Sequence, residues 1–310
     1  MPNPSLSEAS APRGEPTESE VVPPDEPVAS AEHVAWVRAL AHLESDVRVR
    51  NPDFMAQHFV VNHRLAAGLR MPRLTRLYLR AQFPGFYYYH TARTKFLDDV
   101  MLRAERPQQL LILGAGYDSR PYRFQSFLHG VRIFELDYPS TQAAKQQRLR
   151  EIYGAVPEHV TFVPIDFKTL DIAETLKRAG FRSRQSNIVL WEGVTMYLTG
   201  DAVDAVLRFV VRESAPGSVL GFDYVTKAVV NGDLSAYGAR SSTRIAAKLG
   251  EPYTLGLDPQ RARGFLERRG LRVVRDLDSD QLEQEFLGGR GAFGARRVWG
   301  FTHLMHAEVA

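Results

Sequence analysis

Three acidic residues stand at near-even intervals in the second half of the chain. Asp137, Asp166 and Glu192 are separated by 29 and 26 residues, and each follows a short apolar run: Ile133-Phe134-Glu135-Leu136, then 160–163, then 188–191. Ahead of them, Leu111-Ile112-Leu113 runs into Gly114-Ala115-Gly116-Tyr117-Asp118-Ser119-Arg120. Two glycines one residue apart allow a tight turn and a close approach of a ligand to the backbone. Carboxylates at strand ends accept hydrogen bonds from hydroxyl and amino groups and attract cations.

The glycine pattern narrows the ligand. A dinucleotide turn carries a third Gly or Ala, so that its helix packs close and meets a pyrophosphate; here that position is Ser119. A nucleoside cofactor without phosphates needs only the tight turn. S-adenosylmethionine, an amino acid and an adenosine joined through a sulfonium, is such a cofactor. Asp137, 21 residues after Gly116, sits where an acid accepts from both ribose hydroxyls; a helix N-cap or a solvated strand-end acid is the other reading. Asp166 can accept from the adenine amino group, with Phe167 offering a backbone amide or an apolar face, or it can cap a helix. Glu192 suits the ammonium and sulfonium of the cofactor, or a structural salt bridge. Arg93 can hold a carboxylate through two parallel hydrogen bonds, or lie on a helix surface.

These residues need a frame that brings them together. After Pro107 short apolar runs at 110–113, 131–136, 160–163, 188–191 and 219–224 alternate with helical stretches near 120–128, 140–152, 168–179 and 201–214. That alternation predicts an α/β fold with a parallel sheet and right-handed crossovers. Its strand ends share one edge, where ligands bind in open α/β folds. Upstream, 31–106 reads as an N-terminal helical cap: Val34, Val37, Leu40 and Leu43 recur at helical spacing, as do Phe96, Leu97, Val100 and Met101. Between them Phe83-Pro84-Gly85-Phe86-Tyr87-Tyr88-Tyr89 reads as a turn or loop. Residues 107–310 form the cofactor-binding core, interrupted at about 225–257 by a cap insertion over the substrate. A helix near 258–269, a strand at 271–274 and a last strand near 297–303 complete it. Residues 1–30 hold seven prolines, six acidic residues and one basic one, which predicts a disordered tail.

Composition removes other chemistries. The 310 residues include no cysteine, which excludes disulfides, thiolate nucleophiles and cysteine-bound metal. His58 and His63 are five apart and do not share a helix face as a zinc pair four apart does; no metal is expected. A net charge of +3 is small for this length, and Arg64, Arg70, Arg73, Arg76 and Arg80 read as a solvated face, so no nucleic-acid partner is expected. No apolar run approaches the roughly 18 residues of a membrane span, and no secretory signal is visible. The expectation is a cytoplasmic monomer or homodimer without a membrane partner.

Five stretches together resemble the leucine carboxyl methyltransferase-like family, which includes bacterial O-methyltransferases of polyketide and other secondary metabolism. They are Ala92-Arg93-Thr94-Lys95-Phe96-Leu97-Asp98-Asp99, the turn from Leu113 through Arg120, Glu135-Leu136-Asp137-Tyr138-Pro139, Asp166-Phe167, and Glu192 through Tyr197-Leu198. The resemblance covers roughly residues 35 to 305. It implies a class I methyltransferase fold, a seven-stranded mostly parallel sheet with helices on both faces beneath an N-terminal helical cap. It also implies S-adenosylmethionine as cofactor and S-adenosylhomocysteine as product. By the same resemblance Arg93 pairs with the cofactor's carboxylate, Gly114 contacts its amino-acid part beside Ala115, Gly116 and Asp118, Asp137 holds the ribose, Asp166 and Phe167 the adenine, and Glu192 the amino group. Phe167 departs from the family's usual Leu.

The expected reaction is an in-line transfer of the methyl group to an oxygen of a small-molecule acceptor, a polyketide, peptide or other secondary metabolite. An acceptor carboxylate, of pKa about 4, is already ionised and needs a clamp rather than a base; a phenol, of pKa about 10, profits from a general base. His90, Tyr89 and Tyr197 are the catalytic candidates, with Tyr237, Arg240 and Arg244 as possible readers of the substrate. Two alternatives stay open: a protein C-terminal carboxyl as acceptor, and a relative that uses the bound cofactor without methylating.

Overall fold

Successive residues of a strand point to opposite faces of its sheet. In β1 (Gln109–Leu113) every residue is buried. Leu110 and Ile112 join one apolar cluster, Leu111 and Leu113 another. A strand apolar on both faces belongs in the middle of a sheet covered on both sides. The structure is a computed structural model, and it describes residues 29–167, 171–291, 294, 295 and 297–310.

The order begins with α1 (Ala29–His42), a 3-10 turn at Ala56–Phe59, α2 (His63–Arg70), α3 (Pro72–Gln82) and α4 (Phe86–Arg103). Then follow β1, α5 (Arg120–Arg123), β2 (Arg132–Asp137), α6 (Pro139–Tyr153), β3 (Val160–Pro164), α7 (Ile172–Arg178), β4 (Asn187–Trp191), α8 (Gly200–Glu213) and β5 (Val219–Val225). The chain closes with α9 (Lys227–Val230), α10 (Ala239–Lys248), α11 (Pro259–Glu267), β6 (Leu271–Leu277), α12 (Ser279–Phe286) and β7 (Thr302–Val309).

The seven strands form one sheet in the order β3-β2-β1-β4-β5-β7-β6. Strands β1 to β5 run parallel, and β7 runs antiparallel to both β5 and β6. The sheet carries α4, α6 and α12 on one face and α7, α8 and α11 on the other, as the two clusters show. This is the α/β architecture expected from the sequence. Because β1, β2, β3 and β4 are parallel, the turn after Leu113 and the residues Asp137, Asp166 and Glu192 all leave the same edge.

Helix α4 lies close against β5, and a glycine permits it. A Cβ at Gly221 would stand 3.0 Å from Leu97 Cδ2 and 3.2 Å from Val100 Cγ1. Asp223 is two residues further along β5, on the same face. Arg93 is one helical turn before Leu97, on the same side of α4. The contact at Gly221 therefore brings Arg93 to Asp223.

Several boundaries differ from expectation. The aromatic run is not a loop: only Phe83-Pro84-Gly85 turns, with Gly85 at φ 86°, and Tyr87, Tyr88 and Tyr89 lie in α4. Local Pro and Gly mark where the turn is, but the tertiary burial of Tyr87 and Tyr89 decides how soon the helix starts. The helix foreseen at 120–128 is the single turn α5. The final strand begins at Thr302, not near Arg297, and pairs through Val309 with β6. The stretch 225–257 contains two helices, α9 and α10, and its first residue still belongs to β5. Helix α12, opened by a reciprocal capping box between Asp278 and Gln281, was not foreseen. The proposed tail lies outside the described residues except for Ala29 and Ser30, which already belong to α1. Among the described residues no helix is long and apolar enough to cross a membrane.

Candidate active site

The glycine turn follows β1 directly. Gly114 has φ 69° and Gly116 φ 43°, a region that side chains adopt at a cost. A Cβ on Gly114 would also stand 2.3 Å from Val194 Cγ2. Ala115 is buried in the core. The amide of Gly116 donates to Asp137 Oδ2, and the amide of Tyr138 donates to Oδ1 at 2.6 Å. The turn and the end of β2 are thereby tied together. Burial raises the Asp137 carboxyl above its ordinary range, against the pull of those two amides. Each of its oxygens keeps a lone pair for a further donor.

Asp166 lies at the end of the third βα unit and accepts from the Tyr138 hydroxyl at 2.9 Å. It does not cap the following helix, because Asp171 does so through the amides of Ala173 and Glu174. Helix α6 has no side-chain cap at its start either. Asp137 therefore does not cap α6, and the cap of α7 is Asp171. Phe167 packs half-buried against the apolar cluster on the α8 face.

Glu192 and Arg93 meet in a buried ion network. Arg93 Nε lies 3.0 Å from Glu192 Oε1, and its Nη1 donates to Asp223 Oδ2 at 2.9 Å. Glu192 Oε2 accepts from Arg120 Nη1 at 2.8 Å. Arg120 also pairs with Asp98 and Asp118. Arg123 continues the chain from Asp98 to Asp53, and Arg38 ends it. Burial opposes the charged form of Glu192, but Arg120 and Arg93 overcome it and hold the carboxyl well below its usual range. Asp118 serves this network, accepting from the amide and the guanidinium of Arg120.

Four guanidiniums and five carboxylates make up the network. One negative charge is in excess, so the cluster favours a cation. Two donors in it also remain for an anion. Arg120 Nη2 is buried without a partner, and Arg93 Nη2 makes no hydrogen bond among the described residues. A group carrying a carboxylate, an ammonium and a sulfonium fits that set.

An aromatic wall flanks Arg93. Tyr89 donates to Asp223 Oδ2 at 2.5 Å and lies under the Arg93 guanidinium. Trp299 stacks on Tyr89 at 4.6 Å and on Phe301 at 5.2 Å. His90 is buried among Phe86, Tyr89 and Trp299. Its Nδ1 lies 2.8 Å from the Phe86 carbonyl. A carbonyl only accepts, so Nδ1 carries the proton and Nε2 the lone pair. Burial, with Arg93 adding to it, pushes the imidazole down to about 3. Tyr197 packs against Tyr253 at 5.7 Å. Burial pushes both Tyr89 and Tyr197 well above the ordinary phenol value. Tyr224 turns to the other side of the sheet, where it donates to Asp276.

Residues far apart in sequence close over the turn. Ala31 of α1 stands 3.5 Å from where a Gly116 Cβ would be, and Ser30 Oγ donates to Glu251 Oε1 at 3.3 Å. Trp299 Nε1 donates to the Pro84 carbonyl, and its ring fills the space that side chains at Gly85 and Gly238 would need. Sequence reasoning missed Asp223, Arg120, Asp98 and Trp299. An Asp inside the apolar run Val219-Leu220-Gly221-Phe222-Asp223-Tyr224 was the one available signal, because a buried charge needs a partner.

Sheet order, strand directions and helices on both faces define a class I methyltransferase fold. The crystal structure of a DUF574 family protein from Streptomyces avermitilis shares it, with a TM-score of 0.54 and 17% identity, over 77% of this chain and 90% of that one. A family model for leucine carboxyl methyltransferase matches residues 31–211, and the chain belongs to that family. A Frankia alni relative, named as an S-adenosyl-L-methionine-dependent methyltransferase, is 32% identical over 218 residues, 69% of this chain and 75% of its own length. YktD of Bacillus subtilis, named likewise, is 28% identical over 183 residues, 59% of this chain. The match spans 60% of YktD, less than two thirds of its length.

Proposed function

We propose that the chain binds S-adenosylmethionine at this sheet edge and transfers its methyl group to an oxygen of a small molecule, with a carboxylate as the acceptor. The family and the names of the relatives support the cofactor. The observation that carries the reading is the joining, on one edge, of the glycine turn to Asp137 through the Gly116 amide and to the Arg93–Glu192–Arg120 network through Asp118.

The family resemblance supplies the roles in this reading, and the geometry supports them. Asp137 accepts from the ribose hydroxyls while its own amide contacts keep it fixed. Asp166 and Phe167 border the adenine. Glu192 meets the amino group, and the free Nη2 groups of Arg93 and Arg120 meet the carboxylate. When bound between Asp137 and the Arg93–Glu192–Arg120 network, the cofactor would supply a methyl group made electrophilic by its sulfonium. The chain supplies orientation and excludes water, through the aromatic wall and the close packing of α1 over the turn.

The carboxylate reading is supported by the titration of His90, Tyr89 and Tyr197. His90 at about 3 is a poor match for a phenol proton, and Tyr89 and Tyr197 titrate too high to accept one at neutral pH. An acceptor that arrives ionised needs none of them as a base. His90, Tyr89 and Tyr197 then shape and desolvate the acceptor.

The purified chain, incubated with methyl-labelled cofactor and a panel of small carboxylic acids, phenols and C-terminal peptides, tests this. Label is expected in base-labile methyl esters of small acids. Phenolic ethers alone would reverse the acceptor assignment, and esters formed only on peptides would move it to a protein C-terminus. Asp137→Ala is expected to weaken cofactor affinity by calorimetry at least about tenfold, the worth of one to two hydrogen bonds. Unchanged affinity would remove Asp137 from the site.

A further inference from the structure

We propose that the α2–α3 hairpin is a docking surface for an anionic lipid membrane, a role separate from the chemistry at the sheet edge. Between Asp53 and Asp98 the chain contains no acidic residue. Helix α3 buries only Leu79. On its far side Leu74, Leu77 and Tyr78 are 64%, 67% and 57% exposed. At 100° per residue these three form one stripe, and Arg73 and Arg80 run along its border. Arg70 extends that border from the end of α2, whose own apolar residues Leu65 and Leu69 pack inward on the cluster around Trp36. Arg76 is not part of the surface, because Glu44 holds it at 2.6 Å. The side chains of Arg70 and Arg73 have no carboxylate partner among the described residues.

Read from sequence alone, these arginines form a solvated face. The exposed apolar stripe between them changes that reading. A soluble surface helix turns its apolar side inward; α3 shows Leu, Leu and Tyr to solvent with cations beside them. A second copy of the chain is a poor occupant. A two-fold contact would set guanidinium against guanidinium, and the segment has no carboxylate to pair them. An anionic bilayer surface satisfies both halves: its acyl boundary takes the stripe and its headgroups take the arginines. The hairpin would lie on the membrane, since neither helix is long enough to span it.

Co-sedimentation of the full chain with phosphatidylcholine vesicles, with and without phosphatidylglycerol, tests the proposal. Binding is expected only to the phosphatidylglycerol vesicles, and it should fall as salt rises from about 0.05 to 0.5 M. Leu74→Ser with Leu77→Ser, and separately Arg70→Gln with Arg73→Gln, should each lower partitioning about tenfold or more, with the melting temperature unchanged. Absence of binding to the anionic vesicles, or wild-type binding by both variants, overturns it. So does a dimer that Leu77→Ser dissolves, which would assign the stripe to a second copy.

Discussion

Arg93 Nη1 lies 2.9 Å from Asp223 Oδ2, although the two residues are 130 positions apart. Asp223 is fully buried and receives two further donors, the Tyr89 hydroxyl and the amide of Gly193 at 2.6 Å. One carboxylate thus fixes the helix that carries Arg93, the turn that follows Glu192 and the first ring of the aromatic wall. It touches none of the residues expected to contact adenosine, yet it sets the position of those expected to hold the amino-acid part of the cofactor.

Asp223→Asn keeps the shape and removes the charge. It leaves a buried guanidinium with one fewer counter-ion, and the expected cost is about 3 kcal/mol of stability. Tyr89→Phe deletes one hydrogen bond to the same oxygen, for about 1 kcal/mol. Urea unfolding of the two variants separates these values. Equal costs would mean that the ion pair does not hold α4 on β5.

Gly114→Ala faces two penalties, a backbone at φ 69° and a methyl group pressed on Val194. The expected loss is about 2 to 3 kcal/mol, with weakened cofactor binding. Adding Val194→Ala removes the clash but not the backbone strain, so rescue should be partial. Thermal melts of the single and double variants distinguish the terms. Full rescue would show that Gly114 is needed for space alone.

The pH dependence of His90 has a definite sign. Its folded value of about 3 lies below the ordinary 6.5. Between those values the unfolded chain binds a proton that the folded chain does not, so stability is lost as pH falls from about 6.5 toward 3. His90→Gln should flatten that limb of a stability–pH curve and leave stability above pH 7 nearly independent of pH. An imidazole resonance of His90 that titrates near 6.5 would contradict the buried, neutral state.

What could be read from the sequence followed from local rules. The short apolar runs ahead of Asp137, Asp166 and Glu192 are statements about neighbouring residues, and parallel strand order turns them into a shared edge. Fold class was legible for the same reason. The Arg120 network was not, because Asp53, Asp98, Asp118 and Glu192 converge only after four separate elements pack. Tyr87 through Tyr89 misled because Pro84-Gly85 marks a turn without saying where it ends. The last strand was set too early because Trp299 and Phe301 look strand-like, whereas both are committed to ring stacking with each other.

The hydrogen bond from Ser30 to Glu251 joins the first helix to the insertion across a span of 221 residues. Helix α1 is already anchored by its buried Trp36, Val37 and Leu40 and by Arg38 Nη2, which donates to the Tyr117 carbonyl at 2.8 Å, so the Ser30 contact, worth about 1 kcal/mol, trims the position of Glu251 against a roof that stands without it.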